Sequence, residues 1–285
     1  MNILLLGASG QVGYELQRSL QGLGDIAAPT REQLDLTDLD RLADGVRALK
    51  PALIVNAAAY TAVEQAESEP GLAFRINAEA PAVLAREARA LGAAMVHYST
   101  DYVFDGGKNA PYTEDDLAAP LNVYGRSKLA GENAVTESGI SHLILRTSWV
   151  YGMRGNNFLL AMLKRAREQG ELRVVADQFG APTWCRTVAE ISAHLLADAN
   201  VAGNEWWRCH SGIYHLACAG QTSWHGFAEA IMAAAHIDCR VVPIATSEYP
   251  SRAQRPPNSV LDCRKLANIS GELPNWQDAL QLCMS

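Results

Sequence analysis

Ile3-Leu4-Leu5-Leu6-Gly7-Ala8-Ser9-Gly10-Gln11-Val12-Gly13 is the stretch that decides the fold. Four apolar residues in a row read as a strand buried on both faces. Three glycines at a spacing of three follow at once, letting the backbone turn tightly and come close to a pyrophosphate. Val12, Leu16 and Leu20 then fall at i, i+4 and i+8 on one helix face. The N-terminus of that helix favours negative charge. Gly7, Gly10, Gln11, Val12 and Gly13 are therefore candidate dinucleotide-binding residues. A glycine triplet alone is a weak signal, and its place between a strand and a helix strengthens it.

The same alternation continues outward. Asp25-Ile26-Ala27-Ala28 reads as a second strand, and Leu39, Leu42, Val46 and Leu49 mark a helix ended by Pro51. Leu53-Ile54-Val55-Asn56 is a third strand. A helix is expected from Ala78 to Leu91, stopped by Gly92, with strands at Ala94–Tyr98 and Leu143–Arg146. Apolar strands alternating with helices predict an α/β fold, a Rossmann-type doubly wound parallel sheet, with a smaller C-terminal α/β substrate-binding region. Residues 1–150 form the expected NAD(P)-binding domain, with some later segments returning to it, and 151–285 the substrate region. Beyond residue 150, helices near 156–169, 186–199 and 223–236 are separated by longer loops. Tyr249–Ser259, with three prolines and two arginines, reads as a binding loop. Val201–His210, with Trp206-Trp207, reads as a loop insertion.

In such sheets ligands sit at the carboxyl ends of the strands. An acidic residue after the second strand would bind a ribose 2′-hydroxyl and repel a 2′-phosphate. This chain has Thr30-Arg31 there, a hydroxyl and a guanidinium that suit a phosphate. NADPH is therefore favoured, with NADH left open. Asp35, followed by Leu36, is placed to accept from an adenine amino group. Ala59, Tyr60 and Thr61 follow the third strand and would lie along the cofactor.

Tyr124 and Lys128 share a helix face at i, i+4. A free tyrosine, with a pKa of about 10, is a poor acid–base at neutral pH, and a nearby ammonium is expected to lower that value. The lysine can also hold a nicotinamide ribose. Thr100, after the fourth strand, can donate to a substrate oxygen. Thr100, Tyr124 and Lys128 are thus the candidate catalytic residues for reducing a ketone: hydride to carbon, proton from Tyr124 to oxygen.

The 285 residues, 48% hydrophobic, are ample for a sizeable core. Net charge is -7 and no basic stripe is present, which argues against nucleic acid as a partner. No run of eighteen apolar residues offers a membrane span. The first apolar run meets glycine at once and reads as a strand rather than a signal peptide. The six cysteines form no Cys-x-x-Cys pair and read as reduced thiols of a cytoplasmic protein.

Several segments carry a closer resemblance: Val55–Val63, Glu67-Ser68-Glu69-Pro70, His97–Phe104, Ala119–Gly125, Arg146–Tyr151, Gly155–Phe158, Asp177–Thr183 and Arg255–Ser259. With Gly7–Gly13 they make the chain resemble the extended short-chain dehydrogenase/reductase family, most closely its sugar-nucleotide reductases. The resemblance implies NADPH-dependent reduction of the 4-keto group of dTDP-4-dehydro-6-deoxy-L-mannose to give dTDP-L-rhamnose. It makes Thr100, Tyr124 and Lys128 catalytic, and Thr100, Asp101 and Trp149 contacts to the sugar nucleotide. Asn157 and Arg255 would hold its diphosphate. Some members dimerise through magnesium held by glutamates, and Glu15 and Glu190 sit in matching contexts, which implies a homodimer and Mg2+. The family often has histidine where this chain has Tyr60. Epimerases and dehydratases of the same fold are the alternative, but Thr100 precedes Asp101-Tyr102 rather than the acid pair that elimination needs. A non-catalytic NADP-binding regulatory subunit is the other alternative, against which the intact Thr100, Tyr124 and Lys128 stand.

Overall fold

The computed structural model describes residues 1–285. Its centre is a six-stranded sheet in which all neighbours run parallel. Five strands come from the first half: β1 (Asn2–Leu6), β2 (Asp25–Ala27), β3 (Leu53–Asn56), β4 (Ala94–Thr100) and β5 (His142–Thr147). The sixth, Gly212–His215, returns from late in the chain and pairs with β5. Across the sheet the order is Gly212–His215, β5, β4, β3, β1, β2. The winding reverses between β1 and β3, so a crevice opens beyond their carboxyl ends.

The continuous apolar strands follow from the two layers that cover them. Leu5, Val55, Val96 and Leu145 face one layer, where they meet Leu16 of α1 (Gln11–Ser19) and Val188 and Leu195 of the helix Cys185–Ala202. Leu4, Leu6, Ile54 and Met95 face the other, against Leu42 and Val46 of α2 (Leu39–Leu49) and Leu84 of the helix Ala80–Leu91. Successive strand residues therefore serve opposite cores. A third core lies beyond residue 150, built from the helices Phe158–Glu168, Trp224–Ala235 and Trp276–Met284 over the parallel pair Glu171–Val175 and Arg240–Ile244.

Two expectations need correction. Val201–His210 is not a loop: the helix Cys185–Ala202 runs into it, and Asn204–His210 forms a further helix whose Trp206 joins the first core. Burial of that indole fixes the segment. The helix expected from Ala78 starts earlier. Pro70–Phe74 is already helical and passes through a π-turn, Arg75–Glu79, into Ala80–Leu91. The wide turn aims Asn77 at the Tyr60 backbone, accepting from its N–H at 2.8 Å, and at Ser127 Oγ, 3.0 Å away.

Candidate active site

One cleft of about 930 Å³ runs along the carboxyl ends of the strands, a size suited to small-molecule ligands. At one end is the glycine-rich loop. Gly7 takes a φ of 79°, a conformation that suits glycine, and a Cβ at Gly13 would overlap the Gly7 carbonyl. Gly7, Gly10, Gln11 and Val12 line the cleft, while Gly13 packs beneath the turn. Thr30, Arg31, Asp35, Leu36, Ala59 and Thr61 line it further on, and Arg31 reaches Asp35 at 3.5 Å. Tyr60 does not form part of this wall. Its hydroxyl donates to Glu69 Oε2 at 2.8 Å, and its ring packs against the small core of Ala66, Ala73 and Val123.

At the other end, Thr100 closes β4. Its hydroxyl donates to Asp101 Oδ1 at 2.9 Å and accepts from the Tyr102 N–H at 3.1 Å. Asp101 is buried, which pushes its carboxyl up to about 6 against the opposing hydrogen bonds from Ser259, Thr100 and Ser148. The helix Val123–Glu137 starts directly beside this turn. Asn122 caps it, accepting from the Gly125 N–H at 2.8 Å, and a Cβ at Gly125 would overlap the Tyr102 carbonyl. That contact brings Tyr124 to Thr100.

Lys128 is buried one turn further along. Its ammonium donates to the Tyr98 carbonyl at 2.6 Å and stands 3.3 Å from His97 Nε2. Burial pulls the lysine down to about 8, while the charge of Glu132 works the other way. The expected lowering of Tyr124 by Lys128 is not what the free protein has. Burial pushes the Tyr124 phenol up to about 12; a hydrogen bond with Thr100 lowers it and the Asp101 charge raises it. The ammonium points to a backbone carbonyl and an imidazole instead, and desolvation dominates.

Trp149 lines the cleft with a φ of 46°, rare for so bulky a residue. Its indole stacks on Trp224, centroids 3.5 Å apart and planes within 6°. Asn157 and Arg255 lie outside the wall. Asn157 caps the helix Phe158–Glu168, and its amide donates to Gln11 Oε1 at 2.8 Å and to the Gly152 carbonyl at 2.9 Å. It therefore ties the late segment to the glycine-rich loop. Arg255 pairs with Glu64 at 2.6 Å. Trp224, Arg154 and His97 escaped the sequence reading. Trp224 and Arg154 line the cleft, and His97 stands behind Lys128. Trp224 reaches the site only by chain-distant packing, while His97 and Arg154 lie close in sequence to Thr100 and Trp149 but in no pattern that marks them.

Glu15 and Glu190 do not make a metal site within one chain. Glu15 is 3.3 Å from Arg186, Glu190 is exposed one turn beyond on the same helix, and no group of three or more candidate ligands converges anywhere. A hard cation takes six or more oxygens, so the rest would come from water or a second copy of the chain.

The match to known proteins runs the full length. The family model described as "RmlD substrate binding domain" matches residues 1–285. A dTDP-4-dehydrorhamnose reductase of Burkholderia thailandensis is 50% identical over 100% of this chain and 98% of its own. A crystal structure of a dTDP-4-dehydrorhamnose reductase from Clostridium acetobutylicum superposes with a TM-score of 0.93 at 37% identity, covering 100% of this chain and 98% of that one. Another from Bacillus anthracis, in complex with NADP, gives 0.88 at 37% identity, covering 99% and 98%. With these relatives, and along its whole length, the chain belongs to the RmlD substrate binding domain family.

Proposed function

We propose that the cleft reduces the 4-keto group of dTDP-4-dehydro-6-deoxy-L-mannose, giving dTDP-L-rhamnose at the expense of NADPH. The observation that carries this reading is the continuity of one cleft from the glycine-rich loop to Thr100, Tyr124 and Lys128. A nicotinamide cofactor and a proton donor can thus meet the same substrate atom pair. NADPH, when bound, supplies the hydride to the carbonyl carbon.

The rest falls to the chain. Gly7 to Gly13 present backbone and a helix N-terminus to the pyrophosphate. Thr30 and Arg31 stand where a 2′-phosphate would lie, and that charge would compete with Asp35 for the guanidinium. Tyr124, held protonated by burial, gives its proton to the carbonyl oxygen as the alkoxide develops. Thr100 has a single proton, which the free site directs to Asp101, and a substrate oxygen competes for it as it gains charge. Lys128 commits one donor to the Tyr98 carbonyl and keeps others for a ribose hydroxyl and the phenolate left after proton transfer.

The test is NADPH oxidation with dTDP-4-dehydro-6-deoxy-L-mannose generated in place from dTDP-glucose. Turnover is expected to fall by roughly a hundredfold or more in Tyr124→Phe, with NADPH affinity retained. Undiminished turnover in that variant removes Tyr124 as the donor. No turnover in the folded wild type removes the substrate assignment.

A further inference from the structure

The segment Asp177–Thr183, one of the stretches that carry the family resemblance, holds none of the residues given a role in the reaction. The structure pairs its two ends with the strands that adjoin the two stacked tryptophans, Trp149 and Trp224. Phe179-Gly180 pairs antiparallel with Thr222-Ser223, directly before Trp224. Thr183-Trp184 pairs in parallel with Val150-Tyr151, directly after Trp149, and the Thr183 N–H reaches the Trp149 carbonyl at 3.3 Å. One short segment is thus strapped by backbone bonds to the chain on either side of the indole stack.

Gly180 sits at the crossing point. A Cβ there would lie 2.6 Å from Trp149 Nε1, 2.7 Å from Cζ2 and closer still to Cε2. The indole cannot retreat, because its ring is stacked on Trp224, which in turn packs against Phe158 at 4.7 Å. The Trp149 backbone is meanwhile held in the left-handed region, a strained state that persists only where surroundings over-determine it. Both indoles line the cleft, as do Thr100 and Asp101.

We propose that Gly180 and Trp224 determine sugar-nucleotide specificity by fixing Trp149 as a rigid aromatic wall. They are positioning residues, and the ligand they serve has an apolar face, a deoxysugar ring or a pyrimidine, that an indole can cover. Rigidity matters because a wall that swings accepts many shapes, whereas a fixed one rejects those that do not match it. The inference rests on the reading that this cleft takes a sugar nucleotide.

The experiment compares the full-length wild type with Gly180→Ala, Trp224→Ala and Trp224→Phe. Affinity for dTDP is measured by calorimetry and for NADPH by fluorescence titration. KM and kcat are measured with dTDP-4-dehydro-6-deoxy-L-mannose. Gly180→Ala and Trp224→Ala are expected to raise KM by roughly tenfold or more with kcat changed less. Their NADPH affinity should stay within about twofold. Trp224→Phe, which keeps an aromatic support, should restore most of the loss. Loss of the stack should also change the near-ultraviolet circular dichroism of the alanine variants, which reads the wall without turnover. Unchanged KM in an active Gly180→Ala enzyme overturns the inference and leaves the reductase reading standing. An equal loss of NADPH affinity overturns it as well, because the effect is then general. A wild type that binds neither dTDP nor the substrate overturns both.

Discussion

At the scale of single residues, the site works through burial more than through pairing. Lys128 is buried and Tyr124 half-buried at the cleft wall, and each is driven toward its neutral form. For a reductase this is apt, since the proton donor must hold its proton until the oxygen asks for it. Lys128 has a cost that can be measured. Its folded value of about 8 lies below the 10.5 of the unfolded chain. The unfolded state therefore binds more protons between those values, and stability rises with pH across that window. The penalty is full below pH 8 and gone above 10.5. Lys128→Met should be inactive and, at pH 7, more stable than the wild type by on the order of 2 kcal/mol. Urea denaturation at pH 7 and pH 10 checks this: the gain should shrink at the higher pH, and a gain that grows there contradicts it.

At the scale of elements, the helix Val123–Glu137 is the working part. Tyr124, Lys128 and Glu132 follow at intervals of four, so one face carries a phenol at the cleft, then a buried amine and a buried carboxylate. Glu132 pairs with Arg146 of β5 at 2.7 Å, both buried, and that pair locks helix to sheet beneath the catalytic turn. Removing one partner leaves an uncompensated buried charge, so Glu132→Gln is expected to cost about 3 kcal/mol in chemical denaturation. A cost under about 1 kcal/mol would mean that water reaches Arg146. The sequence made this helix legible through Tyr124 and Lys128 but gave no sign of Glu132, whose partner lies fourteen residues away on another element. The sheet was legible because strands covered on both faces are apolar throughout. The two-residue strands that place Trp149, Gly180 and Trp224 were not, since two residues have no period to read. Asn204–His210 was missed for a like reason, a helix of two turns showing its buried Trp206 only in the fold. Asn157 and Arg255 were singled out as diphosphate ligands, whereas their contacts in the fold, with Gln11 and Glu64, are visible only in the packing.

At the scale of the whole molecule, contacts between distant parts of the chain hold the loop Ser251–Arg255 in place. Glu64 gathers the loop around Ser251 to Arg255, accepting from Ser251 Oγ at 2.7 Å and the Arg252 N–H at 2.8 Å while pairing with Arg255. Asn122 adds a bond to the Gln254 carbonyl at 2.8 Å, so the cap of the catalytic helix and this loop move together. Glu64→Ala should free the loop, speeding limited proteolysis near Arg252 and weakening sugar-nucleotide binding by about tenfold. Limited trypsin digestion followed by mass spectrometry reads the first effect. Cleavage no faster than in the wild type would show that the loop is held by other contacts.

The return of Cys185–Ala202 to α1, and of Gly212–His215 to the edge of β5, has a consequence for how the protein is made. A ribosome that has released the first 150 residues has delivered the glycine-rich loop, the proton donor and five of the six strands. The apolar face of α1 then still awaits its cover, and β5 still presents a bare edge. The sheet must therefore wait for these late segments before its layer and its edge are complete, so a nascent chain halted before them exposes apolar surface and an open strand edge that chaperones would cover.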